Sequence, residues 1–75
     1  MVCGINMEAT CKRMDELRQE RNLSMKDIQN HFGFTTPNAV YKWMRGEALP
    51  CIDNLVILAD LYQCKVDDML VCEQF

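Results

Sequence analysis

Residues that begin and end helices divide this 75-residue chain into short segments, and their spacing limits the folds open to it. Gly33 and Gly46 each follow a stretch of apolar residues at helical spacing, where a left-handed residue can end a helix. Pro37 suits a first helical position, and Pro50 forces the residue before it into an extended conformation. Ser24 is a preferred N-cap residue. No segment alternates apolar and polar residues, so the sequence predicts an all-α fold.

Apolar periodicity places five helices between these signals. The predicted helices cover residues 7–21, 25–32, 37–45, 52–62 and 66–72. We expect the fourth to be the most buried, because it carries a broad apolar stripe of Leu55, Val56, Leu58, Ala59 and Tyr62. Residues 1–6 show no periodicity. We therefore expect a flexible leader followed by a single domain over residues 7–75.

One hydrophobic core is expected, because 49% of the residues are apolar and 25% are charged, a balance typical of globular domains. The candidate core side chains are Leu17, Ile28, Phe32, Val40, Trp43, Leu55 and Leu58. An alternative role for Trp43 is a platform on which a nucleic-acid base stacks. Its spacing from Phe32, Ala39 and Val40 favours a place in the core.

Several classes of function find no support in the sequence. The longest apolar run, residues 55–59, is far shorter than the ~20 residues of a membrane span. The five cysteines form no C-x-x-C pair and His31 is the only histidine, so we expect no metal site and reduced cysteines in a cytoplasmic protein. There is no glycine-rich phosphate loop or nucleophile elbow. We expect no enzyme activity, no cofactor and no small-molecule ligand.

The second and third predicted helices form a helix-turn-helix over residues 25–45. Its second helix, residues 37–45, has the geometry to lie in a DNA major groove. With Val40 and Trp43 turned inward, one polar and basic face without an acid stays exposed, formed by Thr35, Thr36, Asn38, Tyr41, Lys42 and Arg45. Asn38 can contact adenine and Lys42 can contact guanine. Taken alone, such a face is also typical of an ordinary solvated surface.

These residues resemble the Cro/C1-type (XRE-like) helix-turn-helix family over about residues 8 to 72. Up to residue 50 the resemblance rests on Leu17-Arg18, Asn22-Leu23-Ser24, Phe32-Gly33-Phe34, Ala39-Val40-Tyr41-Lys42-Trp43, Arg45-Gly46 and Leu49-Pro50. After residue 50 it rests on Ile52, Leu55, Leu58-Ala59, Leu61-Tyr62 and Val66-Asp67-Asp68-Met69-Leu70. The resemblance implies a five-helix, lambda-repressor-like DNA-binding domain.

The resemblance also implies which side chains contact DNA. Base-reading positions fall on Thr36, Asn38 and Lys42, and DNA-backbone contacts fall near Thr35, Tyr41 and Arg45. From their place at the edges of helices one and two, we add Arg18 and Lys26 as phosphate contacts. These two residues also alternate with acids, as ordinary salt-bridged surfaces do.

Three features depart from the family pattern. Met25 stands where the family often has a glutamine that reaches the DNA backbone, and Gln29 replaces the usual alanine between helices two and three. The connection from Gly33 to Val40 is one residue longer than in the commonest pattern. These departures leave the register of the base-reading residues open by about one position.

The overall charge opposes DNA binding, because the formal net charge is −3 and the sequence pI is about 4.9. Any DNA contact must then rely on a local basic patch. Six of the eleven acidic residues follow the third helix, from Glu47 to Glu73, and we expect them to lie apart from it. This hypothesis requires Glu47 and Asp53 to be distant from Asn38 and Lys42.

Two functions fit the sequence. The first is sequence-specific binding of double-stranded DNA by a transcriptional regulator, expected to be a repressor. It would act as a homodimer through the C-terminal helix and an exposed tail of Val71, Cys72 and Phe75. The second is a protein-interaction module, antitoxin-like or anti-repressor, with weak or no DNA binding. Met25, Gln29, Met44 and the acidic balance favour the second.

Overall fold

The computed structural model describes residues 3–74, and this part of the chain contains five helices and two short strands. The helices are α1 (Met7–Glu20), α2 (Met25–Phe32), α3 (Asn38–Arg45), α4 (Ile52–Tyr62) and α5 (Val66–Met69). The strands are β1 (Cys3–Ile5) and β2 (Cys72–Gln74). The five predicted helices are confirmed, and the bounds of the first four agree with the prediction to within one residue.

A two-stranded antiparallel sheet joins the two ends of the chain, with Gly4 opposite Glu73 and Ile5 opposite Cys72. The fold is thus mostly helical rather than all-α, and Cys3–Ile5, which the sequence placed in a flexible leader, form β1. Met1 and Val2 lie outside the described residues. Strands of three residues are too short to show alternation, and they pair across nearly the whole chain, so no local pattern predicts them.

The C-terminal helix is shorter than predicted, because α5 ends at Met69 and Leu70 is extended (φ −87°, ψ 135°). The Val71 N–H then donates to Thr10 Oγ1 (2.9 Å), and the Val71 carbonyl accepts from the Asn6 N–H (2.8 Å). These bonds direct the chain into β2. Val71 is therefore not part of an exposed tail, and Phe75 lies outside the described residues.

The capping signals at Ser24, Gly33 and Gly46 are confirmed, and the one at Pro37 is displaced by one residue. Ser24 and Asp27 form a reciprocal capping box at the start of α2: the Asp27 N–H donates to Ser24 Oγ, and the Ser24 N–H donates to the Asp27 carboxylate. Gly33 and Gly46 end α2 and α3 in the left-handed conformation (φ 73° and 83°). Pro37 occupies the position just before α3 rather than its first turn.

The core lies where the five helices meet. Of the seven predicted core residues, five are buried: Leu17, Ile28, Val40, Trp43 and Leu58. The other two, Phe32 and Leu55, are partly buried and packed against them. Tyr62 is fully buried, donates to the Met14 carbonyl (3.1 Å), and has its pKa raised by that burial. The Tyr62 hydroxyl therefore stays protonated as a donor inside the core.

The helix α4 is less buried than predicted. Val56, expected on its inward stripe, is 55% exposed, and Ile52 is 79% exposed. The buried face is narrower and consists of Leu58, Ala59 and Tyr62, with Leu55 packed at its edge. Over residues 3–74, no helix combines the length and the apolar character needed to cross a bilayer.

Candidate nucleic-acid interface

The outward face of α3 and of the turn before it carries the predicted contact residues. All six side chains are exposed: Thr35, Thr36, Asn38, Tyr41, Lys42 and Arg45. On the opposite face of α3, Val40, Trp43 and Met44 are buried. This division follows from helical spacing, because residues three and four apart share a face.

Aromatic packing holds α3 against α2. The Phe32 and Phe34 rings are stacked with their centroids 5.1 Å apart, and both meet the Trp43 indole edge-on at 5.3 and 5.9 Å. These geometries are favoured by the quadrupoles of aromatic rings. Trp43 is thus confirmed as a core residue, and its ring helps to set the position of α3.

The far end of α3 is held by α1. The Cys11 thiol donates to the Ala48 carbonyl (3.5 Å), and burial raises the pKa of this thiol so that it stays neutral. At Gly46, a Cβ atom would come within 4.0 Å of the Glu8 backbone. Contacts with α2 and α1 therefore fix the position of α3, and its outward face is a preformed surface.

A shallow depression of about 280 Å³ lies on this surface, lined by Asn38, Tyr41, Lys42, Arg45 and Glu47. The Arg45 guanidinium lies over the Tyr41 ring, 5.1 Å from its centroid, which is a cation–π contact. Two cations, an amide and a phenol thus surround a space that can receive acceptor groups.

Glu47 also lines this depression, so the predicted separation of acids from α3 is wrong. Gly46 is left-handed and turns the chain back across the end of α3, where the Glu47 N–H donates to the Lys42 carbonyl (3.0 Å). In the sequence, Gly46 directly before Glu47 could have predicted this placement. Asp53 is not among the residues that line the depression.

The two predicted contacts on α1 and α2 differ in their surroundings. Lys26 is exposed in the first turn of α2. Arg18 is engaged inside the protein: its guanidinium pairs with the Asp15 carboxylate (2.9 Å) and donates to the Leu23 carbonyl (2.8 Å). Arg18 thereby ties α1 to the loop that leads into α2, which leaves it poorly disposed toward an external phosphate.

Comparison with known proteins assigns the family. A helix-turn-helix family model matches residues 14–69. The chain belongs to the Cro/C1-type (XRE-like) helix-turn-helix family. Over 65 residues it is 37% identical to the HTH-type transcriptional regulator DdrOP3 of Deinococcus deserti, an alignment that covers 87% of this chain and 50% of the relative. The chain thus spans about half the length of that curated relative.

The fold of this XRE-like domain is similar to a solved structure. The crystal structure of the DNA-binding domain of BldD matches it with a TM-score of 0.72 at 20% identity. The match covers 87% of this chain and 93% of that one. At this level of identity the similarity supports the fold alone.

The departures from the XRE-like pattern have structural roles that sequence reasoning missed. The Gln29 side-chain amide donates to the Phe34 carbonyl (3.2 Å) and so supports the longer connection between α2 and α3. Met25 is packed against the core, and Met44 is buried. Neither methionine therefore offers a large apolar surface to a partner protein.

Proposed function

We propose that this chain is a cytoplasmic, sequence-specific regulator of transcription that binds double-stranded DNA with α3 in the major groove. The observation that carries the proposal is the exposed, preformed face of α3, with Lys42 and Arg45 beside Asn38. A helix fits the width of the major groove, where each base pair presents a distinct pattern of donors and acceptors. The family relative named as a transcriptional regulator supports the same reading.

In this proposal the contact residues divide into two groups. Base edges are read by Thr36, Asn38 and Lys42. The DNA backbone is contacted by Thr35, Tyr41, Arg45 and Lys26, which fix the position of the domain without reading sequence. We leave Arg18 out of this set because Asp15 and the Leu23 carbonyl already occupy its guanidinium.

We propose repression as the outcome of binding. A domain seated in the major groove of a promoter excludes other proteins from the same stretch of DNA. This mode of action needs no contact with the transcription machinery and no catalytic group.

The regulator is proposed to act as a homodimer, because one small module buries too little surface for tight specific binding. Two copies related by a two-fold axis would read half-sites about one helical turn apart. We place the interface on α4 rather than on the C-terminal helix α5. Asp67 and Asp68 are exposed on α5 and would repel their copies across such an axis, whereas Ile52 and Val56 form an exposed apolar face on α4.

The dimer is tested by sedimentation equilibrium of Val56→Glu and Asp67→Lys. The first substitution should abolish self-association and weaken binding to a two-half-site DNA, while the exposed position keeps the fold intact. The second should leave association nearly unchanged. The opposite result would place the interface on α5. A wild type that stays monomeric at high concentration would reject the dimer.

The DNA-binding proposal is tested by selecting fragments from a randomised duplex library with the full chain. The selected motif is then bound across a salt series by the wild type and by Asn38→Ala, Lys42→Ala and the control Lys65→Ala. Each of the first two should lose about 1–3 kcal/mol of discrimination at one base pair. The logarithm of the binding constant should fall steeply with that of salt, because each neutralised phosphate contributes a slope of about −0.9.

The competing proposal is a protein-interaction module that keeps the fold with weak or no DNA binding. The net charge of −3 and the exposed apolar face of α4 favour it, whereas the burial of Met44 removes one of its arguments. No selection above shuffled DNA at low salt would reject the regulator and support this module. Selection of one motif with steep salt dependence would reject the module.

A further inference from the structure

Glu47 is an acid at a surface whose other polar groups suit an anion. Its carboxylate lines the depression together with Lys42 and Arg45. In the described part of the chain, the only salt bridges join Arg18 to Asp15 and Arg21 to Glu20, so the Glu47 carboxylate is engaged by neither cation. Arg45 lies over the Tyr41 ring instead. The acceptor oxygens of Glu47 therefore stay available to a ligand.

The position of Glu47 is coupled to that of Lys42. The Lys42 carbonyl accepts from the N–H groups of both Glu47 (3.0 Å) and Ala48 (3.4 Å), after the left-handed turn at Gly46. These bonds hold the start of the loop against the last turn of α3, so the backbones of residues 42 and 47 keep a fixed spacing. A donor group and an acceptor group thus line the same depression.

The major-groove edge of a G·C pair offers the complementary arrangement. Guanine presents the acceptors N7 and O6, and cytosine presents the N4 amino donor. An ammonium suits the guanine acceptors and a carboxylate suits the cytosine amino group. An acid that served no such purpose would only weaken attraction to phosphates.

We infer that Glu47 accepts a hydrogen bond from the N4 amino group of the cytosine paired with the guanine that Lys42 contacts. Residues 42 and 47 together then select a G·C pair in one orientation. This inference rests on the proposed function and adds to it a specificity residue that lies outside α3. Glu47 contributes discrimination between sequences at the expense of general affinity for DNA.

The experiment selects from a randomised duplex library with the wild-type chain and with Lys42→Ala, Glu47→Ala and Glu47→Gln. Glu16→Gln is the matched control, because it removes one exposed acid from the outer face of α1. Lys42→Ala and Glu47→Ala should both lose preference at the same G·C pair, by about five- to 150-fold. Glu47→Gln keeps an acceptor, so it should retain part of the cytosine preference while binding all sequences more tightly. Glu16→Gln should leave the motif unchanged.

The inference is overturned if Glu47→Ala and Glu47→Gln bind every sequence more tightly by one common factor and keep the wild-type motif. It is also overturned if Glu47→Ala affects a base pair that Lys42→Ala does not. A wild type that enriches no motif rejects the proposed function itself, which is a different result. Circular dichroism melting of each variant verifies that it is folded, as the exposed position of residue 47 leads us to expect.

Discussion

Thr10 is fully buried in α1, and its hydroxyl makes two hydrogen bonds with the backbone of Val71. It donates to the Val71 carbonyl (3.3 Å) and accepts from the Val71 N–H (2.9 Å). A buried N–H without a partner is costly, so this side chain determines where the chain leaves α5 and enters β2. Periodicity identifies Thr10 as inward-facing, but it does not reveal the partner, which lies at the other end of the chain.

Thr10→Val should therefore destabilise the domain by about 1–3 kcal/mol, because valine keeps the shape and leaves the Val71 N–H unpaired. Thr10→Ser keeps the hydroxyl and should restore much of that bond while losing only a methyl group. The free energy of unfolding from urea titration distinguishes the two variants. Equal stability of Thr10→Val and wild type would contradict the role assigned to this hydroxyl.

Asp27 links stability to pH through the capping box. A hydrogen bond from the Ser24 N–H is the main cause that lowers the pKa of the Asp27 carboxyl, and a hydrogen bond with the Ser24 hydroxyl adds to it. The pKa of this carboxyl is about 4 in the unfolded chain and lower in the folded one. The ionised carboxylate therefore stabilises the fold fully above about pH 4, and this contribution is lost as the pH falls through the folded-state pKa. The difference in unfolding free energy between wild type and Asp27→Asn should thus shrink on acidification.

Urea titrations between neutral pH and about pH 3 measure this difference, with Asp60→Asn as the control for loss of one exposed acid. A difference that stays constant over this range would show that the charge of Asp27 does not contribute to capping.

At the scale of elements, the turn between α2 and α3 decides where the contact face points. Gly33 ends α2 in the left-handed conformation (φ 73°), and the Phe34 N–H donates to the Gln29 carbonyl (3.1 Å). The Gln29 side chain then donates to the Phe34 carbonyl (3.2 Å), and the Phe34 ring packs on Trp43 of α3. The Gly33 backbone, the Gln29 amide and the Phe34 ring together set the crossing angle between α2 and α3.

Gly33→Ala should destabilise the domain by about 1–2 kcal/mol, the cost of a Cβ atom in the left-handed region. The space around residue 33 is open, with nothing within 4 Å of a Cβ atom, so the cost comes from backbone conformation alone. Gly33→Asn should be milder, because asparagine tolerates this conformation. Thermal unfolding of both variants measures the effect, and an alanine variant no less stable than the asparagine variant would contradict it.

At the scale of the whole molecule, the helices could be predicted because their signals are local. The Ser24 cap, the glycines 33 and 46, and apolar spacing each act within a few residues. The strands β1 and β2 could not be predicted, since each has three residues and pairs across nearly the whole chain. The early end of α5 has the same cause, because it depends on Thr10 in α1.

The candidate site, like the fold, could be predicted only where its signals are local. Helical spacing identified the exposed face of α3. It could not reveal that Glu47 returns to that face after the turn at Gly46, nor that Arg18 is occupied by Asp15 and Leu23. Such contacts depend on how a loop is oriented against a helix, which the order of residue types along the chain does not specify.

The charge distribution gives a last prediction at this scale. A net charge of −3 repels DNA as a whole, while Lys42 and Arg45 attract it at the contact face. Glu16 and Asp60 are exposed on α1 and α4 and do not line the depression. The double variant Glu16→Gln, Asp60→Asn should therefore bind all DNA sequences more tightly at low salt, without a change in base preference.

The gain should fade as salt is added, because charges separated by more than about 10 Å are largely screened at 0.1 M ionic strength. Fluorescence anisotropy with the selected motif and with a shuffled duplex, each at low and high salt, measures the gain in affinity and the base preference. The affinity ratio of the two duplexes should stay constant while both affinities rise at low salt. A changed ratio would mean that Glu16 or Asp60 lies close enough to the bases to affect their recognition, and that the contact face extends beyond α3.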